Sequence, residues 1–253
     1  MIILKTDNEL KIMREASRIV AIVLSEINDL VRPGISTLEL DKFAEDRIIG
    51  LNAKPGFKGY GSGDRIFPST LCTSVNDQVV HGIPSKSVIL EEGDIIGVDV
   101  GTIYKGFYGD GAYTYAVGNV DEETRNLMNS CEKALYKGID AAVIGNRISD
   151  ISNAIDKSVR LDGFEIVRDL TGHGIGRNLH EDPQIINYNN GIKGKKISGN
   201  MTMAIEPMIT NGGYRIRTLE DNWTVVTADG SLSVHYEHTI AISDNGPEIL
   251  TRI

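Results

Sequence analysis

Cysteine is scarce in this chain: Cys72 and Cys131 are the only two among 253 residues. Two thiols cannot build the disulfide framework that staples small secreted domains, so a reducing cytoplasm is the expected setting. Long apolar runs are missing as well. None approaches the ~20 residues of a membrane-spanning helix. The opening MIILKTDNELK carries charges at Lys5 and Asp7 and no apolar export core, so no membrane association is expected. Basic charge is in short supply: 26 Lys and Arg against 35 Asp and Glu give a formal charge of −9. That balance argues against a nucleic-acid partner gripped through a basic face. Glycine, by contrast, is abundant. Its 27 residues are about 11% of the chain against a usual ~7%, which implies many tight turns. The remaining composition is globular, 41% hydrophobic and 24% charged, and the length suits a single domain over residues 1–253.

Thr6 and Glu9 form a capping-box pattern, followed at helical spacing by Ile12, Met13, Ala16, Ile19, Val20, Val23, Ile27 and Leu30. Arg32-Pro33-Gly34 stops that helix. Ser36 with Glu39 opens a second helix bearing Leu40, Phe43, Ala44 and Ile48, which ends at Gly50. A glycine-rich loop over 55–69 and β-rich sequence to about Gly118 come next. The pattern then recurs. One helix runs from Asp121 to about Ile139 and another from Ser149 to Leu161, closed by Asp162-Gly163, and β-rich sequence follows to the C-terminus. Ile35-Ser36-Thr37-Leu38 parallels Ile148-Ser149-Asp150-Ile151, and His81-Gly82-Ile83 parallels His173-Gly174-Ile175. Helix–helix–strands twice over predicts an internal pseudo-repeat of 1–118 and 119–253. The expected fold is α+β, a mainly antiparallel sheet flanked by two helix pairs.

After each HGI triplet comes an apolar strand with an acid, and then a second acid: Asp99 and Asp110 in the first half, Glu206 and Glu237 in the second. A two-residue turn at Tyr104-Lys105 would set Asp99 directly opposite Asp110, with Cβ atoms about 5 Å apart. Like charges there repel by roughly 3 kcal/mol at an effective dielectric near 20. A single strand Asp usually faces solvent on an edge. Four acids in apolar strands are four expensive charges, and such charges are paired or coordinate metal. Two divalent cations would balance them. His173, in Thr171-Gly172-His173-Gly174-Ile175-Gly176, is the natural imidazole, and one imidazole among carboxylates favours Mn, Fe, Co or Zn over Ca or Mg. His180, seven residues on, is placed to line the same cleft. His235 and His238 flank Glu237; strand alternation lets only His235 share its face, and both are expected to be structural. There is no G-x-S-x-G elbow and no Cys–His signature around either cysteine. Gly59-Tyr60-Gly61-Ser62-Gly63 lacks the lysine and the strand–helix context of a phosphate loop.

The segments VVHGIP (79–84), GVDVGTIYKGFYGD (97–110), TGHGIGRNLHEDP (171–183), AIEPMI (204–209) and YEHT (236–239) together resemble the type I methionine aminopeptidases of peptidase family M24. The resemblance covers essentially the whole chain and implies the pseudo-twofold "pita-bread" fold of creatinase and the aminopeptidases. It implies hydrolysis of the initiator methionine from nascent polypeptides, met at the ribosome, when the second residue is small. By the same resemblance the cofactor is a pair of divalent ions: Asp99 holds one, His173 and Glu206 the other, and Asp110 and Glu237 bridge them. Glu206 would shuttle the proton, His81 and His180 would contact substrate, and Phe67, Cys72, His81, Leu179 and Trp223 would line the methionine pocket. A monomer is expected. Three departures stand out: Leu179 where relatives often carry an aromatic residue, an irregular 57–67 stretch, and Gly111 after Asp110 where threonine is usual. The 33-residue separation of His173 and Glu206 leaves no room for the helical insertion of type II members. The proline-specific members of the superfamily, aminopeptidase P and prolidase, and a non-catalytic ribosome-associated paralogue are the alternatives. The first carry a further N-terminal domain, and the second has lost metal ligands that are all present here.

Overall fold

The capping boxes at Thr6 and Ser36 form as the sequence predicts. The Thr6 hydroxyl accepts from the Glu9 amide while the Glu9 carboxylate accepts from the Thr6 amide at 2.9 Å, opening helix α1 (Asp7–Asn28). Ser36 and Glu39 do the same for α2 (Thr37–Gly50). Each reciprocal pair satisfies two amides that a helix start leaves orphaned. In the second half the Asp121 carboxylate caps α3 (Glu122–Ala141). Helix α4 spans Ile148–Leu161 and is closed by Gly163 in the left-handed region, φ 84°, a conformation that glycine alone adopts cheaply. These elements come from a computed structural model that describes residues 1–63 and 65–252. Asp64, within the irregular 57–67 stretch, lies outside the described residues.

Each helix pair buries its apolar stripe in its own core. Val20, Val23, Ile27, Leu40 and Ile48 pack with Ile96, Val98 and Val100 of the sheet. Leu127, Leu135, Ile151 and Ile155 pack with Met203, Ile205, Ile240 and Ile242. Burial of each such side chain contributes about 1.5–3 kcal/mol. Both cores back onto one face of a sheet that, among the described residues, has nine strands and whose main path is Lys54–Pro55, Ile95–Tyr104, Phe107–Ala116, Glu237–Ser243, Thr202–Ile205, Thr171–Gly174 and Glu181–Ile186. Leu71–Val75 and Gly246–Ile249 pair off this path, and every pairing in the sheet is antiparallel. This is the α+β arrangement expected from the sequence. Among the described residues, no helix is long and apolar enough to cross a membrane.

The hairpin register corrects the sequence reading. Tyr104 pairs with Phe107, so the turn is Lys105-Gly106 rather than Tyr104-Lys105. Both turn residues are left-handed, at φ 47° and 80°, as two-residue hairpin turns of the primed type require. The turn settles where a glycine can take one of those positions. Asp99 therefore faces Ala112, and Asp110 faces Gly101. Each partner has moved by two residues, an even number, so both carboxylates still leave the same face of the sheet. They are diagonal neighbours, not an opposed pair.

Candidate active site

Strand alternation and pairing register together bring the predicted ligands to one place. Asp99 pairs with Ala112, which pairs with Glu237 on its other side, and Asp110 lies two residues from Ala112. Ala204 pairs with His173, and Glu206 lies two residues beyond Ala204. Residues that pair, or that stand two apart, share a face. Asp99, Asp110, His173, Glu206 and Glu237 consequently project from one side of the sheet. Cys72 joins them through its pairing with Asp99.

Glycines make this close approach possible. A Cβ on Gly101 would sit 2.4 Å from the Phe57 ring, and one on Gly174 would sit 2.1 Å from the Asp182 carbonyl oxygen. The G-x-G-x-G around His173 is thus a packing requirement of the sheet. It is not a phosphate loop. Two threonines tie the acid-bearing strands to their neighbours. Thr239 Oγ1 donates to the Asp110 carbonyl oxygen at 2.7 Å and accepts from its amide at 3.2 Å. Thr114 clamps His235 in the same way, at 2.7 and 3.1 Å.

His173 Nδ1 lies 2.8 Å from the Gly174 carbonyl oxygen. A carbonyl only accepts, so the proton is on Nδ1 and the Nε2 lone pair is free. Nε2 points at Glu206 Oε1 (3.5 Å) and Asp110 Oδ2 (3.8 Å). A backbone-fixed tautomer facing carboxylates is how proteins present histidine to a metal. Asp99 Oδ1, Asp110 Oδ1 and Glu237 Oε1 are buried without a hydrogen-bond partner among the described residues. Ligand atoms of Asp110, His173 and Glu237 form one compact group, and those of Glu206, His235 and Glu237 form a second. Burial, with the acids' mutual repulsion added for all but Asp99, raises the pKa values of all four, Asp99 to about 7. Burial, abetted by neighbouring His180, lowers that of His173 to about 4. Neutral imidazole among acids that resist ionisation is a site short of positive charge, and a divalent cation supplies it.

The acids and His173 sit in a cavity of about 120 Å³ whose lining includes all five sequence-predicted pocket residues, Phe67, Cys72, His81, Leu179 and Trp223, together with His180. Trp223 stands edge-on to Phe67 and His81, with ring centres 5.2 and 6.2 Å apart. His81 is held at φ 61°, a left-handed conformation costly for a non-glycine residue and common where function demands it. Burial pushes the Cys72 thiol well up, so it is a pocket wall and not a nucleophile.

Tyr60 and Phe57 also line the cavity, and the sequence reading missed both. The Tyr60 hydroxyl lies 2.6 Å from His180 Nδ1. Their signal was only proximity to the glycine-rich stretch. His235 was expected to be structural. Instead its Nε2 lies 3.7 Å from Glu206 Oε2 and 4.0 Å from Glu237 Oε2. His238 turns away, with Nδ1 2.8 Å from Thr251 Oγ1, as expected of a structural residue.

The loop carrying His180 is anchored by the chain's beginning. Lys5 Nζ pairs with Glu181 Oε2 at 2.7 Å, with side chains only 2% and 4% exposed, and Nζ also donates to the Ile3 carbonyl oxygen. Lys5→Met leaves the Glu181 charge buried and unpaired, so a loss of about 3–5 kcal/mol is expected in urea unfolding. Replacing both residues by methionine should recover most of it. A Lys5→Met protein as stable as wild type would contradict the pairing.

Metallopeptidase family M24 matches residues 11–244 of the chain. Methionine aminopeptidase of Clostridium perfringens is 50% identical over 254 residues, covering all of both chains. Methionine aminopeptidase 1 of Bacillus subtilis is 49% identical over 253 residues, again covering both completely. The crystal structure of the methionine aminopeptidase of Thermotoga maritima superimposes with a TM-score of 0.97 at 43% identity over the full length of both chains. The fold is the pita-bread α+β fold of these enzymes, and the site is that of a hydrolase dependent on a divalent metal. The chain belongs to metallopeptidase family M24.

Proposed function

We propose that this protein is a methionyl aminopeptidase that hydrolyses the N-terminal methionine from polypeptides whose second residue is small. One observation carries the reading above the rest. Four carboxylates and a tautomer-fixed imidazole meet on one sheet face at the floor of a small apolar cavity, in a chain half identical to methionine aminopeptidases from end to end.

The donor set fits two divalent ions, whose four positive charges the four carboxylates balance. Asp99 would hold one, His173 and Glu206 the other, and Asp110 and Glu237 would serve both. Mixed carboxylate and imidazole ligation suits Mn, Fe, Co or Zn. When bound, such ions activate a water and polarise the scissile carbonyl. The protein does the rest. Glu206 takes the proton as the water oxygen bonds to the carbonyl carbon, then delivers it to the amine as the C–N bond breaks. With the Tyr60 hydroxyl donating to His180 Nδ1 across their 2.6 Å contact, Nε2–H would be the imidazole's single donor. That donor meets the developing oxyanion. His81, its pKa lowered to about 4 by burial and the neighbouring His180, stays neutral and hydrogen-bonds substrate. Phe67, Cys72, Leu179 and Trp223 receive the unbranched, polarisable methionine side chain by dispersion and sulfur contacts.

With ions held on its floor, the cavity of about 120 Å³ would leave little room beyond the scissile bond. Met-Ala and Met-Gly peptides should be cleaved and Met-Ile peptides should not. Leucine at the first position should be rejected only partly, because one methylene in such a pocket is worth about 1–3 kcal/mol. Chromatography of the released free methionine tests this directly. Rapid cleavage of Met-Ile, or preference for a dipeptide with proline second, would overturn the assignment. In this reading the partners are nascent chain N-termini met at the ribosome, the enzyme acts as a monomer in the cytoplasm, and its two halves are an internal repeat.

A further inference from the structure

Glu206 has two carboxylate oxygens, and an imidazole faces each of them. Oε1 lies 3.5 Å from His173 Nε2, and Oε2 lies 3.7 Å from His235 Nε2. Each imidazole also reaches a second acid at a matching distance: His173 to Asp110 at 3.8 Å, His235 to Glu237 at 4.0 Å. Both are buried, with side chains 9% and 4% exposed. The arrangement around Glu206 is thus nearly symmetrical, although only His173 lies on the ligand-bearing sheet. His235 arrives from a separate three-stranded sheet, on Ser233–His235, which pairs with Met208–Thr210 just past Glu206.

His235 Nε2 has no hydrogen-bond partner among the described residues. Its distances to both acids exceed hydrogen-bonding range, yet a buried imidazole nitrogen aimed at carboxylates and bonded to none of them is costly. Thr114 Oγ1 engages both its amide and its carbonyl, which fixes the backbone that carries the ring. Glu206, His235 and Glu237 form the second of the two compact ligand groups.

We infer that His235 is a second imidazole donor to the metal centre, so that the site presents two nitrogen ligands, one on each side of Glu206. This inference rests on the metal-holding reading above and adds a ligand to it. A second imidazole moves the site away from all-oxygen preference. It favours Co and Zn over Mn beyond what four carboxylates and one imidazole would give.

The test uses the full-length protein loaded with Co²⁺. Proton NMR of wild type should show two paramagnetically shifted, solvent-exchangeable imidazole N–H resonances, one each from His173 and His235. A single such resonance overturns the inference. His235→Gln, first shown to keep the wild-type melting temperature without metal, should lose one resonance and change the Co²⁺ visible spectrum. It should also weaken Co²⁺ binding roughly tenfold more than Mn²⁺ binding in calorimetric titration. Equal weakening of both metals with an unchanged spectrum would mean that His235 only braces Glu206, and would also overturn it. If His235→Gln does not fold, the wild-type NMR result decides alone. Failure of wild type to bind any divalent metal would instead sink the metal reading itself.

Discussion

Asp110→Ala and Glu237→Ala should each empty the metal site and reduce methionine release by roughly 10³-fold or more, the scale set by several kcal/mol of lost charge stabilisation. Both acids are buried with an oxygen that has no partner among the described residues, and each is flanked by other acids. Without a cation they repel, so removing one relieves strain in the metal-free fold. Glu237→Gln should therefore melt at or above the wild-type temperature when both proteins are stripped of metal. Saturating metal should raise the wild-type melting temperature, because it binds only the folded state, and should barely move the variant. Calorimetry with and without metal, alongside metal analysis by mass spectrometry, checks both halves. A Glu237→Gln protein that binds metal and gains stability like wild type would remove this residue from the ligand set.

His180→Ala should behave in the opposite way. Its imidazole lines the cavity but belongs to neither compact ligand group, so metal content should stay near wild type while turnover falls roughly 10²–10³-fold, the scale of one lost oxyanion donor. The 2.6 Å contact from Tyr60 to His180 Nδ1 adds a graded companion. Tyr60→Phe frees the imidazole to change tautomer without removing it, so kcat should drop less than in His180→Ala, with KM nearly unchanged. Steady-state kinetics paired with metal analysis separates the cases. An emptied site in His180→Ala would mean that this imidazole is a ligand.

What could be read from the sequence was what is local or periodic. The helix starts at Thr6 and Ser36 depend on residues three apart, and the stop at Gly163 on a single glycine. The acids Asp99, Asp110, Glu206 and Glu237 declared themselves because carboxylates are costly in apolar strands. What escaped depended on long-range geometry. The hairpin register turned on Lys105 accepting a left-handed φ beside Gly106, which its side chain does not advertise. Even so, the error was by an even number of residues and left the site face intact. His235 escaped for a related reason. Alternation placed it on the face of Glu237, but only the break at Tyr236 and the second small sheet carry its ring to Glu206. Tyr60 and Phe57 sit in a glycine-rich stretch with no periodicity, and folding alone puts them beside His180 and Gly101.

The most direct test follows free methionine released from a Met-Ala peptide as exhaustively chelated protein is titrated with Co²⁺ or Mn²⁺, with a Met-Ile peptide run in parallel. The stripped protein should release none, activity should return as the site fills and level off at two ions per chain, and Met-Ile should stay intact throughout. Full activity surviving chelation would contradict the account.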